Sequence, residues 1–254
     1  MKKVVLVAFS LFVTFSVHAD FESYYDPSSL QTFSESQDSA QLQELTLKYS
    51  RRHLDPLGYS NTRRVLFGYV DLEQDEQGYF VKDVYCNIRV RHSVGPKKIP
   101  KNNVMNTEHT WPQSMGADRE PFRGDLHHLY PTDSRANSIR GNYPFGEVDG
   151  EQVDFNCPSK IGSIRDPRSG RYIGSRGFEP PDEHKGNVAR AMFYSAVVYN
   201  KHIDDVEEYY LRKWHKEDPV DVRERTRNDE IEASQGNRNP FIDFPQIADH
   251  IKNF

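Results

Sequence analysis

Apolar positions recur with two different periods along this chain of 254 residues, and each change of period marks an element. The stretch Asp20 to Ser39 is polar and serine-rich and reads as a surface arm. From Ala40, Leu42, Leu45, Leu47 and Tyr49 sit among Gln, Glu and Lys, which predicts a helix that stops before Pro56-Leu57-Gly58. Tyr59-Ser60-Asn61-Thr62 caps a second helix carrying Val65, Leu66 and Phe67. The pattern then shortens: Asp75 to Gly78 is a turn and Tyr79 to Tyr85 is rich in β-formers, a strand that Asn87 to Val94 either extends or follows with another. Gly95-Pro96 turns the chain, and Asn103 to Thr110 returns as a strand ending at His109. Pro131-Thr132-Asp133 offers a helix start, and the polar run after it is one short helix. Asp149 to Gly177 is rich in Gly and Pro and reads as a long loop.

The longest helical signal follows, where Val188, Ala189, Met192, Phe193, Ala196, Val197 and Tyr199 keep one apolar face from Lys185 to Asn200. Helices are also expected from Ile203 to Lys213 and after Asp218-Pro219, the latter ending at Gly236, and a short docking helix between Phe244 and Ile251. No repeat or low-complexity linker divides the chain, so residues 20–254 are expected to be one α+β domain, mostly helical.

The first residues change the picture. Met1-Lys2-Lys3, an apolar run from Val4 to Val17 and a small-residue pattern at Val17-His18-Ala19 read as a signal peptide over residues 1–19. The run falls short of the roughly 20 residues needed to span a bilayer. In an exported protein the two cysteines, Cys86 and Cys157, suggest one disulfide across the intervening segment. The formal net charge of −5 argues against a polyanionic partner. Its distribution is not, because Cys86 to Arg176 carries 14 Lys and Arg against 10 Asp and Glu. A local field, more than a net charge, steers a polyanion. Lys160, Arg165, Arg168, Arg171 and Arg176 make the expected loop a candidate phosphate-tracking segment, with an ordinary exposed loop as the alternative.

Candidate chemistry concentrates between Asn106 and Asn142. Adjacent Glu108 and His109 point to opposite faces of an extended strand, so they serve one site only where the strand ends or bends, and Pro112 supplies the ending. Asn137 lies on the short helix that follows. Glu108 and the Asn137 amide are hard oxygen donors suited to Mg2+, and a neutral His109 can deprotonate water. Trp111 reads as a packing anchor beside this site, with stacking on a base as the alternative.

The segments EHTWPQS, DLHHLYPTDSRANSIRGN, FEPPDEHKGNVARAMFYS and QGNRNPFID, in this order, resemble the bacterial endonuclease I family, non-specific nucleases of the ββα-metal (His-Me finger) class. The resemblance implies a ββα-metal core and metal-dependent hydrolysis of phosphodiester bonds in DNA, and also RNA, outside the cytoplasm in the periplasm or the medium. It implies His109 as general base and Glu108 and Asn137 as ligands of Mg2+, for which Mn2+ or Ca2+ substitutes. Asn142 is the second choice for the ligand; otherwise it stands behind the site with Asp125 and His127. The arginine that holds the cleaved phosphate is Arg123, Arg140 or Arg119. The nucleic acid is expected to be met through its backbone, by a monomer with no membrane attachment after signal cleavage. Two other readings stay open: a non-catalytic extracellular DNA-binding protein, and a zinc-dependent hydrolase using His109, His127 and Asp125.

Overall fold

The computed structural model describes residues 21–51 and 57–254; the signal-peptide reading falls on residues 1–19, outside them. The fold is mixed α+β, with 46% of the described residues in helix and 20% in strand. Among the described residues no helix is long and apolar enough to cross a membrane.

The expected surface arm is instead helix α1 (Pro27–Glu35), packed into the core through Phe33. Asp26 starts it by accepting from the Ser29 N–H, and Pro27 takes the first helical position, where a missing N–H costs nothing. α2 (Ser39–Ser50) follows behind its own Asp38 cap. α3 (Tyr59–Val65) runs into a π-helical turn, Leu66–Val70. Strands β1 (Leu72–Asp75), β2 (Gly78–Lys82) and β3 (Arg89–Val90) form an antiparallel sheet, with Gly78 at a φ of 100° closing the first turn.

The strand ending at His109 is β4 (Met105–His109). Its partner is not an upstream strand but β5 (Leu129–Asp133), antiparallel, with Glu108 opposite Tyr130 and His109 opposite Leu129. Pro131, read above as a helix start, therefore lies inside a strand; in a sheet of only two strands its missing N–H need not interrupt a ladder. The helix α4 (Ser134–Arg140) begins one residue after Asp133, so the order strand, strand, helix runs without a break from β5 into the helix that carries Asn137.

The supposed loop from Asp149 to Gly177 is a third antiparallel sheet: β6 (Val148–Asp154), β7 (Cys157–Arg165) and β8 (Tyr172–Glu179). Its glycines mark close backbone approach. Gly150 and Gly162 face each other across the ladder, and a Cβ on either would come 2.1 or 2.3 Å from a backbone oxygen opposite. Of its basic residues, Arg165 donates to the Tyr172 hydroxyl and Arg168 pairs with Asp205, so part of the expected phosphate-tracking charge is already engaged.

α5 (Asp182–Tyr199) is the central helix, burying Val188, Ala189, Met192, Phe193 and Ala196. α6 (Asp205–Glu217) and α7 (Val222–Gln235) flank it. Arg190 on the buried face of α5 is 1% exposed and pairs with Glu224 of α7 at 2.5 Å.

Candidate active site

Asp133 is the local reason that Asn137 stands where it does. Its carboxylate accepts from the Arg135 and Ala136 N–H groups, both at 2.9 Å, and so fixes the first turn of α4 on the end of β5. Asp83, fully buried, holds the Asp133 N–H at 2.8 Å and also accepts from the Tyr85 and Cys86 N–H groups. One carboxylate thereby ties the strand end, the helix start and the segment carrying Tyr85 together. The Asn137 Nδ2 turns to the Thr107 carbonyl at 3.5 Å, which leaves its amide oxygen with no hydrogen bond among the described residues.

Glu108, 2% exposed, faces the other side of β4 from its neighbour. Its Oε1 accepts from the Tyr85 hydroxyl at 2.7 Å and lies 3.3 Å from Arg140 Nε. Burial raises its pKa, and Arg140 and the Tyr85 hydroxyl oppose the rise. Its other oxygen has no hydrogen-bond partner among the described residues. Arg140 is itself 1% exposed, with its two terminal nitrogens given to the carbonyls of Gly141 and Thr110. That leaves it little capacity to grip a phosphate.

His109 turns away toward the segment that joins β4 to β5. Nε2 lies 3.1 Å from the Arg123 carbonyl, which can only accept, so Nε2 carries the proton and Nδ1 keeps the lone pair. Gln113 Nε2 is 3.3 Å from that lone pair. Burial pushes the His109 pKa down to about 3, helped by neighbouring His128 and Arg123, so the ring is neutral at neutral pH. Glu108 and His109 have no common contact, but the two lie side by side at the end of β4, as a strand terminating there permits.

The three candidate arginines differ sharply. Arg123 has no ion pair among the described residues; its guanidinium lies 4.6 Å over the Tyr59 ring and its buried Nε lacks a partner. Arg119 is 89% exposed beside Asp118, and Arg140 is committed to Glu108.

Asp125 and His127 lie behind the site. Asp125 accepts from Tyr194, Tyr199, Gln235 and its own His127 N–H, and His127 Nε2 lies 3.1 Å from the Asn237 carbonyl. Burial lowers the pKa of His127 to about 4. With its oxygens taken, Asp125 is poorly placed to join His109 and His127 around zinc, and among the described residues no three His, Cys, Asp or Glu side chains gather as a ligand set. Asn142 is exposed just past α4, at the rim of a neighbouring cavity.

For a divalent cation the donors on hand are the free oxygens of Glu108 and Asn137. They are hard and carry a single negative charge, a set that suits Mg2+, which keeps several waters and borrows substrate phosphate. A buried carboxylate whose ionised form is disfavoured also gains from a cation nearby.

Three residues missed in the sequence belong to this site. Asp83 and Tyr85 were read only as strand formers, and Gln113 as part of a motif; nothing in their spacing signals contact with residues that follow later in the chain. Cys86 and Cys157 are joined by a disulfide with Cα atoms 4.1 Å apart. It pins the residue after Tyr85 to the start of β7, where Ser159 also donates to the Tyr85 carbonyl at 2.8 Å.

The strand, strand, helix unit thus carries a buried carboxylate, a neutral imidazole and an amide oxygen without a hydrogen bond among the described residues. Residues 28–246 match the Endonuclease I family model, and the chain belongs to that family. It is 39% identical over 167 residues to an extracellular ribonuclease of Bacillus subtilis (strain 168), covering 58% of this chain and 53% of that protein. It is 27% identical over 128 residues to a periplasmic deoxyribonuclease of Aeromonas hydrophila, covering 50% of each. It is 29% identical over 122 residues to Endonuclease-1 of Buchnera aphidicola subsp. Acyrthosiphon pisum, covering 48% of this chain and 45% of that protein. The chain thus spans about half the length of the curated relatives it matches.

Proposed function

We propose that this protein is a metal-dependent endonuclease, exported from the cytoplasm, that hydrolyses phosphodiester bonds of DNA and RNA with little sequence preference. The observation that carries the reading is the end of β4 in a member of the Endonuclease I family, where a buried carboxylate and a neutral imidazole occupy consecutive positions. The names of the relatives, ribonuclease and deoxyribonuclease, extracellular and periplasmic, support the substrate class and the location. The strand, strand, helix order supports a ββα-metal core.

In this reading His109 acts through Nδ1. A water replacing the Gln113 amide there gives its proton to the ring, while the Arg123 carbonyl holds Nε2 and with it the orientation of the imidazole. Glu108 and Asn137 hold Mg2+, with Mn2+ or Ca2+ as substitutes. When bound, the cation offsets charge on the phosphate and the leaving oxygen. Arg123 is the arginine that holds the phosphate, because it has no ion-pair partner among the described residues to abandon. Arg140 orients Glu108 from behind.

The test is degradation of plasmid DNA and of ribosomal RNA by the purified protein, with Mg2+ and with chelator. Degradation with Mg2+ alone is expected, and His109→Ala should slow it by about 100-fold or more with an unchanged circular dichroism spectrum. Undiminished activity in His109→Ala would remove the proposed base.

A further inference from the structure

A cavity of about 530 Å³ opens beside the site without being part of it. It begins at Trp111 and Pro112, directly after Thr110, whose carbonyl receives Arg140 Nη2, and Arg140 links it to Glu108 on its far side. Its walls are largely apolar, built from Trp111, Met115, Tyr143, Ile164 and Met192. The indole N–H of Trp111 is already given to the Met115 carbonyl at 3.1 Å, so that ring offers the cavity only its apolar surface.

Into this wall α6 places one carboxyl group. Glu207 is 9% exposed; one oxygen accepts from the Phe145 N–H at 2.8 Å, and the other has no hydrogen bond among the described residues. Asp204 and the exposed amide of Asn142 stand at the rim. Two carboxylates make the cavity hostile to phosphate, and Arg140, its cation, is committed to Glu108 and two carbonyls. An apolar pocket of this size with a few placed polar groups takes a flat, partly polar ligand. A buried carboxylate selects one with an N–H edge, as acidic side chains do with base amino groups.

We propose that this cavity is a subsite for one unstacked nucleobase of the strand being cut, with Glu207 accepting from the base's N–H edge. The proposal rests on the nuclease reading above. The base lies against Trp111 and Tyr143 while its phosphate reaches the end of β4. Single-stranded nucleic acid, whose bases can be splayed out, is then the favoured substrate. Guanine, with ring and exocyclic N–H donors on one edge, is the favoured base.

Cleavage of a random single-stranded oligonucleotide pool and of its duplex, followed by sequencing of fragment ends, tests this. The work is done at pH 8, above the value of about 7 to which burial raises Glu207, with the hydrogen bond from Phe145 and the charge of Arg140 opposing the rise. The wild type should place guanine several-fold above chance at one fixed position from the cut, and Glu207→Gln should flatten that preference to below twofold. Because Glu207→Gln perturbs a buried site, Met115→Trp is the second variant. Met115 is 50% exposed at the mouth, and the larger ring should cut single-strand cleavage about tenfold while sparing the duplex. A flat base distribution in the wild type, with Met115→Trp equal to it on both substrates, would overturn the subsite while leaving hydrolysis intact. If no hydrolysis occurs at all, the nuclease reading fails, and calorimetric titration with guanosine 5′-monophosphate decides the cavity separately: binding abolished by Met115→Trp supports it, and no binding overturns it.

Discussion

Replacing Tyr85 with Phe removes one hydroxyl and tests how the metal-side carboxylate is held. In the fold that hydroxyl donates to Glu108 Oε1 at 2.7 Å, in a place where both side chains are nearly or fully buried. A hydrogen bond to a charged group contributes about 1.5–3 kcal/mol. Its loss falls on the ionised form of Glu108, since the Tyr85 hydroxyl is one of two groups that oppose the upward push of burial on its pKa. At about 1.4 kcal/mol per tenfold change, cation affinity should weaken by about 10- to 100-fold, the usual range for residues that support a metal ligand. The assay is nucleic-acid hydrolysis as a function of Mg2+ concentration in wild type and Tyr85→Phe. The half-saturating concentration should rise while the rate at saturation changes little. In a Glu108→Gln background the same change should add almost nothing, because the group it supports is gone. A half-saturation within twofold of wild type would mean that the Tyr85 contact does not govern the carboxylate.

Three other outcomes follow from the same fold. Arg123→Ala should depress turnover while leaving urea stability within about 0.5 kcal/mol of wild type, whereas Arg140→Ala strips the partner from a buried carboxylate and should lose about 3–5 kcal/mol in the same denaturation experiment. Cys86 and Cys157 are 71 positions apart, so Cys86→Ser with Cys157→Ser should lower unfolding free energy by about 4 kcal/mol, read from denaturation with and without reductant. Burial raises Glu207 to about 7, so its proton favours the fold at low pH, and that contribution is lost as pH rises through 7. Glu207→Gln should therefore gain on wild type by about 3 kcal/mol between pH 4.5 and pH 8, and a pH-independent gap would refute the reasoning.

The elements whose signals are local were legible in the sequence. α5 was visible because its apolar face repeats over several turns, and the end of β4 because Pro112 cannot continue a strand. What failed was pairing. Nothing in Leu129 to Asp133 says that it lies against β4, and Pro131 pointed to a helix because its cost inside a strand disappears at a sheet edge. Glycines misled in β6 to β8, where Gly150 and Gly162 permit close backbone crossing instead of a turn. The chemistry-bearing residues Glu108, His109 and Asn137 could be picked out as types on elements. Their supports could not, because Asp83, Tyr85 and Gln113 act through contacts that only the folded chain creates.

The anchorage of Asp125 has a consequence for how substrate arrives. A segment as long as Thr110 to His128, without a strand of its own, would ordinarily open and close. Here Asp125 fastens it to two tyrosines of α5 and to Gln235 of α7, so lifting the backbone that bears Arg123 away from the helical frame would strain or break these buried hydrogen bonds. Closing over a bound strand would therefore cost more here than in a loop tied down only at its two ends.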